Sequence, residues 1–288
     1  MSSNVLLLRA PSRDGPAPDK YEASFSALGY RPISIPVLET VLVNLSHLRE
    51  VIREGPQMRG LGGVIVTSAR ACEAWRAVVE ELARESITDT NWSDTPFYVV
   101  GEATAAALVA IRQEIPSSNN LAPRDIRGSA EGGTSEKLAH FILKDLPSGR
   151  NSTLLYLTGD KNRDLLPNIL KDGGVELRSL QVYGTTGTSR FPEDLEDALQ
   201  ASPPVAKWWI VYFAPSAADF VTPTLRKHFT LSASNGKALC DAPHAHLAAI
   251  GPTTSAFLRD NLNLVVDVIS PKPTPEALAE AIQRFDSS

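Results

Sequence analysis

Nowhere does the sequence approach the run of about 18 apolar residues that a membrane-spanning helix needs. The apolar run at 5–8 is followed at once by Arg9 and Pro11, too short for the core of a signal peptide. Cysteine is scarce: Cys72 and Cys240 are the only two and form no CxxC, which points to neither a disulfide framework nor a zinc site. A reducing, cytoplasmic compartment is therefore expected. Positive charge is not in excess, the net charge being −5, so the basic face that a nucleic-acid binder uses to displace counterions is not expected. Also missing are GxGxxG, GxxxxGK[ST], HExxH and GxSxG, the handles of nucleotide, zinc-protease and hydrolase chemistry. The pair His244-Ala245-His246 has no carboxylate or cysteine at ligand spacing and reads as a solvated stretch just before a strand at 247–250, so no metal is expected.

What is present is length, apolar content and a repeat. A chain of 288 residues exceeds the size at which one core stops growing, and an apolar fraction of 43% can fill two. Four blocks recur in the same order in the two halves. Strand and polar loop 5–14 are answered by 154–164, each copy reaching a helix-ending glycine, Gly29 or Gly174, ahead of strands expected at 32–38 and 175–183. Val64-Ile65-Val66-Thr67-Ser68-Ala69-Arg70 matches Ile210-Val211-Tyr212-Phe213-Ala214-Pro215-Ser216, and Val100-Gly101-Glu102-Ala103-Thr104 matches Ile250-Gly251-Pro252-Thr253-Thr254. The fourth block sets Thr134-Ser135-Glu136 against Thr274-Pro275-Glu276, each a helix start. Short β-rich runs alternating with helical patterns call for parallel sheets covered on both faces. The polar stretches 85–95, 113–132 and 230–243 read as surface loops.

In such sheets ligands bind beyond the carboxyl ends of the strands, where the following helices aim their free N–H groups. Thr67, Ser68, Thr104, Ser216, Thr253 and Thr254 fall there, and so do the cations Arg9, Arg13, Arg70, Lys161 and Arg163. Any one hydroxyl is explained by helix capping, and any one cation by ordinary solvation. Recurring at matching points of both halves, they describe rims for a ligand rich in oxyanions.

These blocks resemble the uroporphyrinogen-III synthase family over nearly the whole chain. The resemblance rests on Val66-Thr67-Ser68-Ala69-Arg70-Ala71, Val100-Gly101-Glu102-Ala103-Thr104, Gly159-Asp160-Lys161-Asn162-Arg163-Asp164, Val182-Tyr183-Gly184-Thr185-Thr186, Ala214-Pro215-Ser216-Ala217 and Ile250-Gly251-Pro252-Thr253-Thr254. It implies an α/β fold of two doubly wound parallel-sheet (flavodoxin-like) domains joined by a two-stranded ribbon. One domain is expected to combine 1–37 with 190–288, the other to span 45–182, with crossings at 38–44 and 183–189. The long run 33–45 is consistent with a strand leaving one domain for another.

The implied activity is a cofactor-free lyase reaction: hydroxymethylbilane loses water and closes to uroporphyrinogen III with inversion of its last pyrrole. Tyr183 matches the family tyrosine proposed as proton donor to the departing hydroxyl, and a phenol is protonated at neutral pH. The expected partner is this small-molecule substrate, taken up by a monomer that receives it from the preceding pathway enzyme. Glu102, Thr158 and Ala214 depart from residues common in the family, which shifts binding toward backbone N–H groups. A non-catalytic two-lobed protein that closes on an anionic small molecule is the alternative, and Tyr183 together with Thr67, Thr104 and Thr254 favours the enzyme.

Overall fold

The computed structural model describes residues 3–12, 18–85, 87, 90–115, 120–130, 133–146, 153–162, 164–203, 207–232 and 242–288. The chain forms two compact units, Thr40–Thr185 in one, and Met1–Glu39 with Thr186–Ser288 in the other.

The discontinuous unit begins with β1 (Asn4–Leu8), α1 (Lys20–Ala27) and β2 (Arg31–Ser34). The chain then passes through β3 (Leu38–Leu42) into the continuous unit. That unit comprises α2 (Leu45–Met58), β4 (Gly63–Val66), α3 (Ala69–Arg84), β5 (Phe97–Val99), α4 (Gly101–Glu114), β6 (Ile126–Arg127), α5 (Ser135–Asp145), β7 (Thr153–Thr158), α6 (Leu165–Asp172) and β8 (Glu176–Gln181). It returns through β9 (Tyr183–Gly187), which pairs with β3 as a separate two-stranded sheet. The first unit is completed by α7 (Phe191–Ala201), β10 (Trp208–Tyr212), α8 (Pro215–His228), β11 (Thr230–Leu231), β12 (His244–Ala249), α9 (Pro252–Asp260), β13 (Val268–Ile269) and α10 (Pro275–Asp286).

Both main sheets are parallel. In the discontinuous unit the order is β2-β1-β10-β12, with β11 and β13 both pairing to β12. Leaving out the two-residue β11, the strands stand in the order 2-1-3-4-5, the flavodoxin arrangement, with its switch point between β1 and β10. The continuous unit has the order β8-β7-β4-β5-β6, the same arrangement entered at a different strand, so its switch point lies between β7 and β4. The recurring blocks of the sequence sit on equivalent strands: β1 with β7, β10 with β4, β12 with β5.

Central strands buried on both faces are apolar along nearly their whole length, and NVLLL, GVIV and WWIVY are buried throughout, with Asn4 at the start of the first as the polar exception. Alternation then splits each sheet between two cores. Val64, Val66 and Leu157 pack with Ile52, Trp75 and Leu108 from α2, α3 and α4, while Ile65, Tyr98 and Leu154 pack with Leu138 and Leu166 from α5 and α6. In the other unit Leu6, Ile210 and Tyr212 face Phe191, Val221 and Leu258, and Val5, Leu7 and Trp209 face Phe25 and Leu278. Gly29 and Gly174 follow α1 and α6 at φ of +83° and +80°, the left-handed region that favours glycine after a helix end. No helix among the described residues is long and apolar enough to cross a membrane.

Several expected boundaries change. The run 33–45 is not one strand: β2 stops at Ser34, with one further bond from the Ile35 N–H to the Leu7 carbonyl at 3.0 Å, and strand pairing resumes at Leu38, now with β9. Val182 likewise separates β8 from β9. The expected loops contain the two-residue strands β6 and β11, and a single 3₁₀ turn, Trp92–Asp94. Trp92 is buried, donates to the Ile52 carbonyl at 2.7 Å and meets Trp75 edge to face. His244 and His246 lie inside β12, not ahead of it: Ala245 between them is buried, which gives the alternation of a paired strand.

Candidate functional site

In the continuous unit, the switch point is lined by the segments that leave β4 and β7. Thr67 and Ser68 follow β4, and the Ser68 hydroxyl accepts from the Arg70 N–H at 3.1 Å, capping α3. Arg70 is exposed in the first turn of that helix. After β7 the chain makes a tight loop in which Gly159 N–H donates to the Asn162 carbonyl Oδ1 at 3.2 Å and Asn162 Nδ2 donates back to the Gly159 carbonyl at 2.8 Å. Lys161 stands exposed at its tip. Among the described residues neither Arg70 nor Lys161 has an ion-pair partner.

Tyr183 comes to this loop from the first position of β9. Its ring lies on the bare backbone of Gly159 so closely that a Cβ there would stand 2.4 Å from Cε2 and 2.8 Å from the phenol oxygen. Asp160 accepts from the Thr185 N–H at 3.2 Å, holding β9 to the same loop. A second phenol, Tyr156 of β7, is buried beside Thr67. Burial pushes the Tyr156 pKa up, the neighbouring Thr67 hydroxyl acts against this, and the Tyr183 phenol adds to the rise. The structure thus brings Thr67, Ser68, Arg70, Lys161 and Tyr183 to one sheet edge. Tyr156, Gly159, Asp160 and Asn162 join them; the last three lie in a block that carries the family resemblance but were not named as site residues, although a Gly-Asp-x-Asn run after a strand is a recognisable Asx-turn signal.

Thr104 is elsewhere. It is 6% exposed, and its carbonyl accepts from the Cys72 thiol at 3.7 Å, in the packing of α3 against α4. The first turn of α4 has no side-chain cap, which leaves its N–H groups facing the rim beside the exposed Glu102. Burial drives the Cys72 thiol up to about 12, so it is inert as a nucleophile.

In the discontinuous unit, Ser216 and Thr253 are exposed in the first turns of α8 and α9, neither of which has a side-chain cap at Ala214 or Gly251. Thr254 is 3% exposed and faces inward. Arg9 is not a free cation: its Nη1 lies 2.9 and 2.8 Å from the two Asp19 oxygens and its Nη2 donates to Ser12 Oγ at 3.1 Å. Its guanidinium also stands over the Tyr21 ring at 4.9 Å. Burial opposes the Asp19 charge, but the bonds from Arg9, Ser12 and Glu22 hold its pKa below the ordinary carboxylate value. Arg13 and Arg163 lie outside the described residues.

Cavities of about 440 and 480 Å³ open at the amino ends of the two sheets, one lined by Gly62 and Pro96, the other by Ser3, Lys207 and His246, away from every rim residue. Among the described residues no three His, Cys, Asp or Glu side chains are grouped to hold a metal.

Two doubly wound parallel sheets, with uncapped helix starts and hydroxyls beyond the carboxyl ends of both and the exposed cations Arg70 and Lys161 at the edge of one, define an α/β protein of the flavodoxin-like class. The sequence model of the family described as uroporphyrinogen-III synthase HemD matches residues 19–280, and the chain belongs to that family. It is 28% identical to uroporphyrinogen-III synthase of Saccharomyces cerevisiae over 93% of this chain and 92% of that one. It is 29% identical to the Schizosaccharomyces pombe enzyme over 98% and 97% of the two chains. Among solved structures it is similar to the Helicobacter pylori uroporphyrinogen-III synthetase, at 16% identity and a TM-score of 0.43 over 99% of this chain and 100% of that one.

Proposed function

We propose that this chain carries out the reaction of its family, a cyclising lyase step of tetrapyrrole biosynthesis in which hydroxymethylbilane loses water and closes to uroporphyrinogen III with its last pyrrole inverted. The family match over 19–280 carries this reading. The electron-rich pyrrole pushes out its hydroxyl, and the C–O bond breaks as the Tyr183 phenol gives its proton to the leaving oxygen. Ring closure through a spiro intermediate then releases a proton when the closing pyrrole regains aromaticity, which restores the phenol, so the net change is loss of one water and no oxidant is consumed.

Tyr183 suits this role because its ring rests on Gly159 at the sheet edge where ligands bind. Arg70, Lys161, Ser68, Ser216, Thr253 and the first-turn N–H groups of α4, α8 and α9 would hold carboxylates, and Arg13 and Arg163 belong to the same set by sequence. Thr67 would act through Tyr156, and Thr104 and Thr254, both buried, by shaping their helix starts. Arg9 would shape its loop through Asp19. The reading includes a cytoplasmic monomer that takes its substrate from the enzyme producing it.

The test is isomer analysis. Freshly generated hydroxymethylbilane is given to the pure protein, the products are oxidised, and type III and type I porphyrins are separated. Spontaneous closure gives type I, so a protein-dependent excess of type III is expected; an isomer ratio equal to the blank rejects the proposal.

A further inference from the structure

We infer that the β7–α6 loop is a positioning platform for the Tyr183 phenol, with Gly159 as its seat and Asp160 and Asn162 as the bonds that fix the seat in place. The inference rests on the proposed role of Tyr183 as proton donor.

Three contacts converge on this loop, all within the continuous unit. The Tyr183 ring occupies the volume that any side chain at 159 would need, with Cε2, Cζ and the hydroxyl at 2.4, 2.5 and 2.8 Å from the place of a Cβ. Real Cβ contacts are never this close, so an alanine at 159 must displace the ring or the loop. The Asn162 amide bonds the Gly159 peptide in both directions, fixing its plane under the ring. Asp160 binds the Thr185 N–H, two residues beyond the tyrosine, so the strand that carries the phenol is fastened to the surface on which the phenol lies. Strand β9 belongs to a two-stranded sheet of its own. Its ladder therefore fixes where the tyrosine backbone runs, and the loop fixes where the hydroxyl points. Lys161 at the tip of this loop belongs to the proposed carboxylate-binding set, but nothing in the arrangement requires its neighbours 159, 160 and 162 to touch substrate. Gly159, Asp160 and Asn162 are positioning residues acting through Tyr183.

The chain contains six tyrosines, which makes fluorine labelling tractable. The full chain is labelled with 3-fluorotyrosine, and the Tyr183 signal is identified as the one missing from Tyr183→Phe. Gly159→Ala is expected to move that signal. Because a misplacement of about 1 Å can cost roughly 10²-fold, it is also expected to lower kcat by about 10–100-fold. KM should stay within about 2-fold, as befits an interaction realised in the transition state. In the Tyr183→Phe background the same substitution should cost less than about 2-fold, because the group it misplaces is gone. Should Gly159→Ala fail to fold, Asn162→Ala keeps the glycine and loosens its peptide, and is expected to shift the same signal with a several-fold loss of kcat that again vanishes in the Phe background. An unmoved Tyr183 signal, or an equal loss of kcat with and without the phenol, overturns the platform. A fully active Tyr183→Phe instead overturns the proton-donor reading, and the fluorine signal still decides whether Gly159 seats the ring.

Discussion

Tyr183 and Arg9 each come after a strand at a sheet edge, yet they stand in different physical situations. The Tyr183 phenol rests on a glycine and is half exposed, so removing its oxygen alone leaves the packing intact. Tyr183→Phe is expected to lower kcat by about 10²–10⁴-fold, the range for a lost general acid, with the thermal midpoint unchanged. Tyr183→Ala should also lower the midpoint, since the ring packs against the core of the continuous unit. Arg9 makes charge-assisted bonds to a carboxylate that is nearly buried, its side chain 2% exposed. Arg9→Gln should cost about 1.5–3 kcal/mol of stability, visible as a drop in the thermal midpoint of its unit. The sign of the pH dependence is set by Asp19: its folded pKa is depressed, so its contribution is complete above the unfolded value of about 3.9 and disappears as pH falls through the lower folded value. The difference between wild type and Arg9→Gln should therefore shrink below about pH 4, and a difference that grows on acidification would show that the ion pair is not its source. Pattern alone placed Arg9 at the edge but could not see its partner, because Asp19 is ten residues away across a loop. The contact of Tyr183 with Gly159 was hidden for the same reason, since it depends on the strand break at Val182.

Elements were legible where burial forces them. Strands β1, β4 and β10 are nearly continuous apolar runs because both of their faces are covered, and Thr134 and Thr274 cap α5 and α10 by accepting from Lys137 and Ala277. Strands β6 and β11 escaped, being two residues long in polar surroundings where pairing to a neighbour, not local propensity, makes the strand. The far end of α10 shows a similar tertiary override. Asp286 sits at a helix C-terminus, where the dipole disfavours an anion. It is held there by Tyr30 at 2.8 Å, Trp209 at 3.1 Å and the Lys207 ammonium, which bring its pKa below the ordinary value despite burial. Those donors anchor α10 to the amino ends of β2 and β10, opposite the rim. Asp286→Ala is thus expected to lower the thermal midpoint by several degrees, about 1–3 kcal/mol with donors left unpaired, and to leave kcat within about 2-fold. A large loss of kcat without loss of stability would contradict this division between the two ends of the sheet.

The whole molecule poses an electrostatic question, since a chain of net charge −5 must bind a substrate studded with carboxylates. At long range the two repel; at the rim Arg70, Lys161 and uncapped helix starts attract. Magnitudes decide between them. Five charges about 20 Å away in water act on each substrate carboxylate with about 1 kcal/mol in total, and a Debye length near 8 Å at 0.15 M salt cuts this roughly tenfold. One cation in contact at about 4 Å, at an effective dielectric near 20, contributes about 4 kcal/mol before desolvation and is far less screened. Local attraction should therefore govern binding, and KM should rise several-fold as ionic strength goes from about 0.05 to 0.3 M. Control by net charge would give the opposite sign, because salt would relieve repulsion and KM would fall. Replacing Arg70 and Lys161 together by Gln separates the two further. If these cations meet the carboxylates, the double variant has a higher KM at low salt and a flatter dependence on ionic strength, since fewer contacts remain to be screened. If they are ordinary solvated charges, lowering the net charge by two only strengthens the distant repulsion, and KM would then fall with salt more steeply than in the wild type.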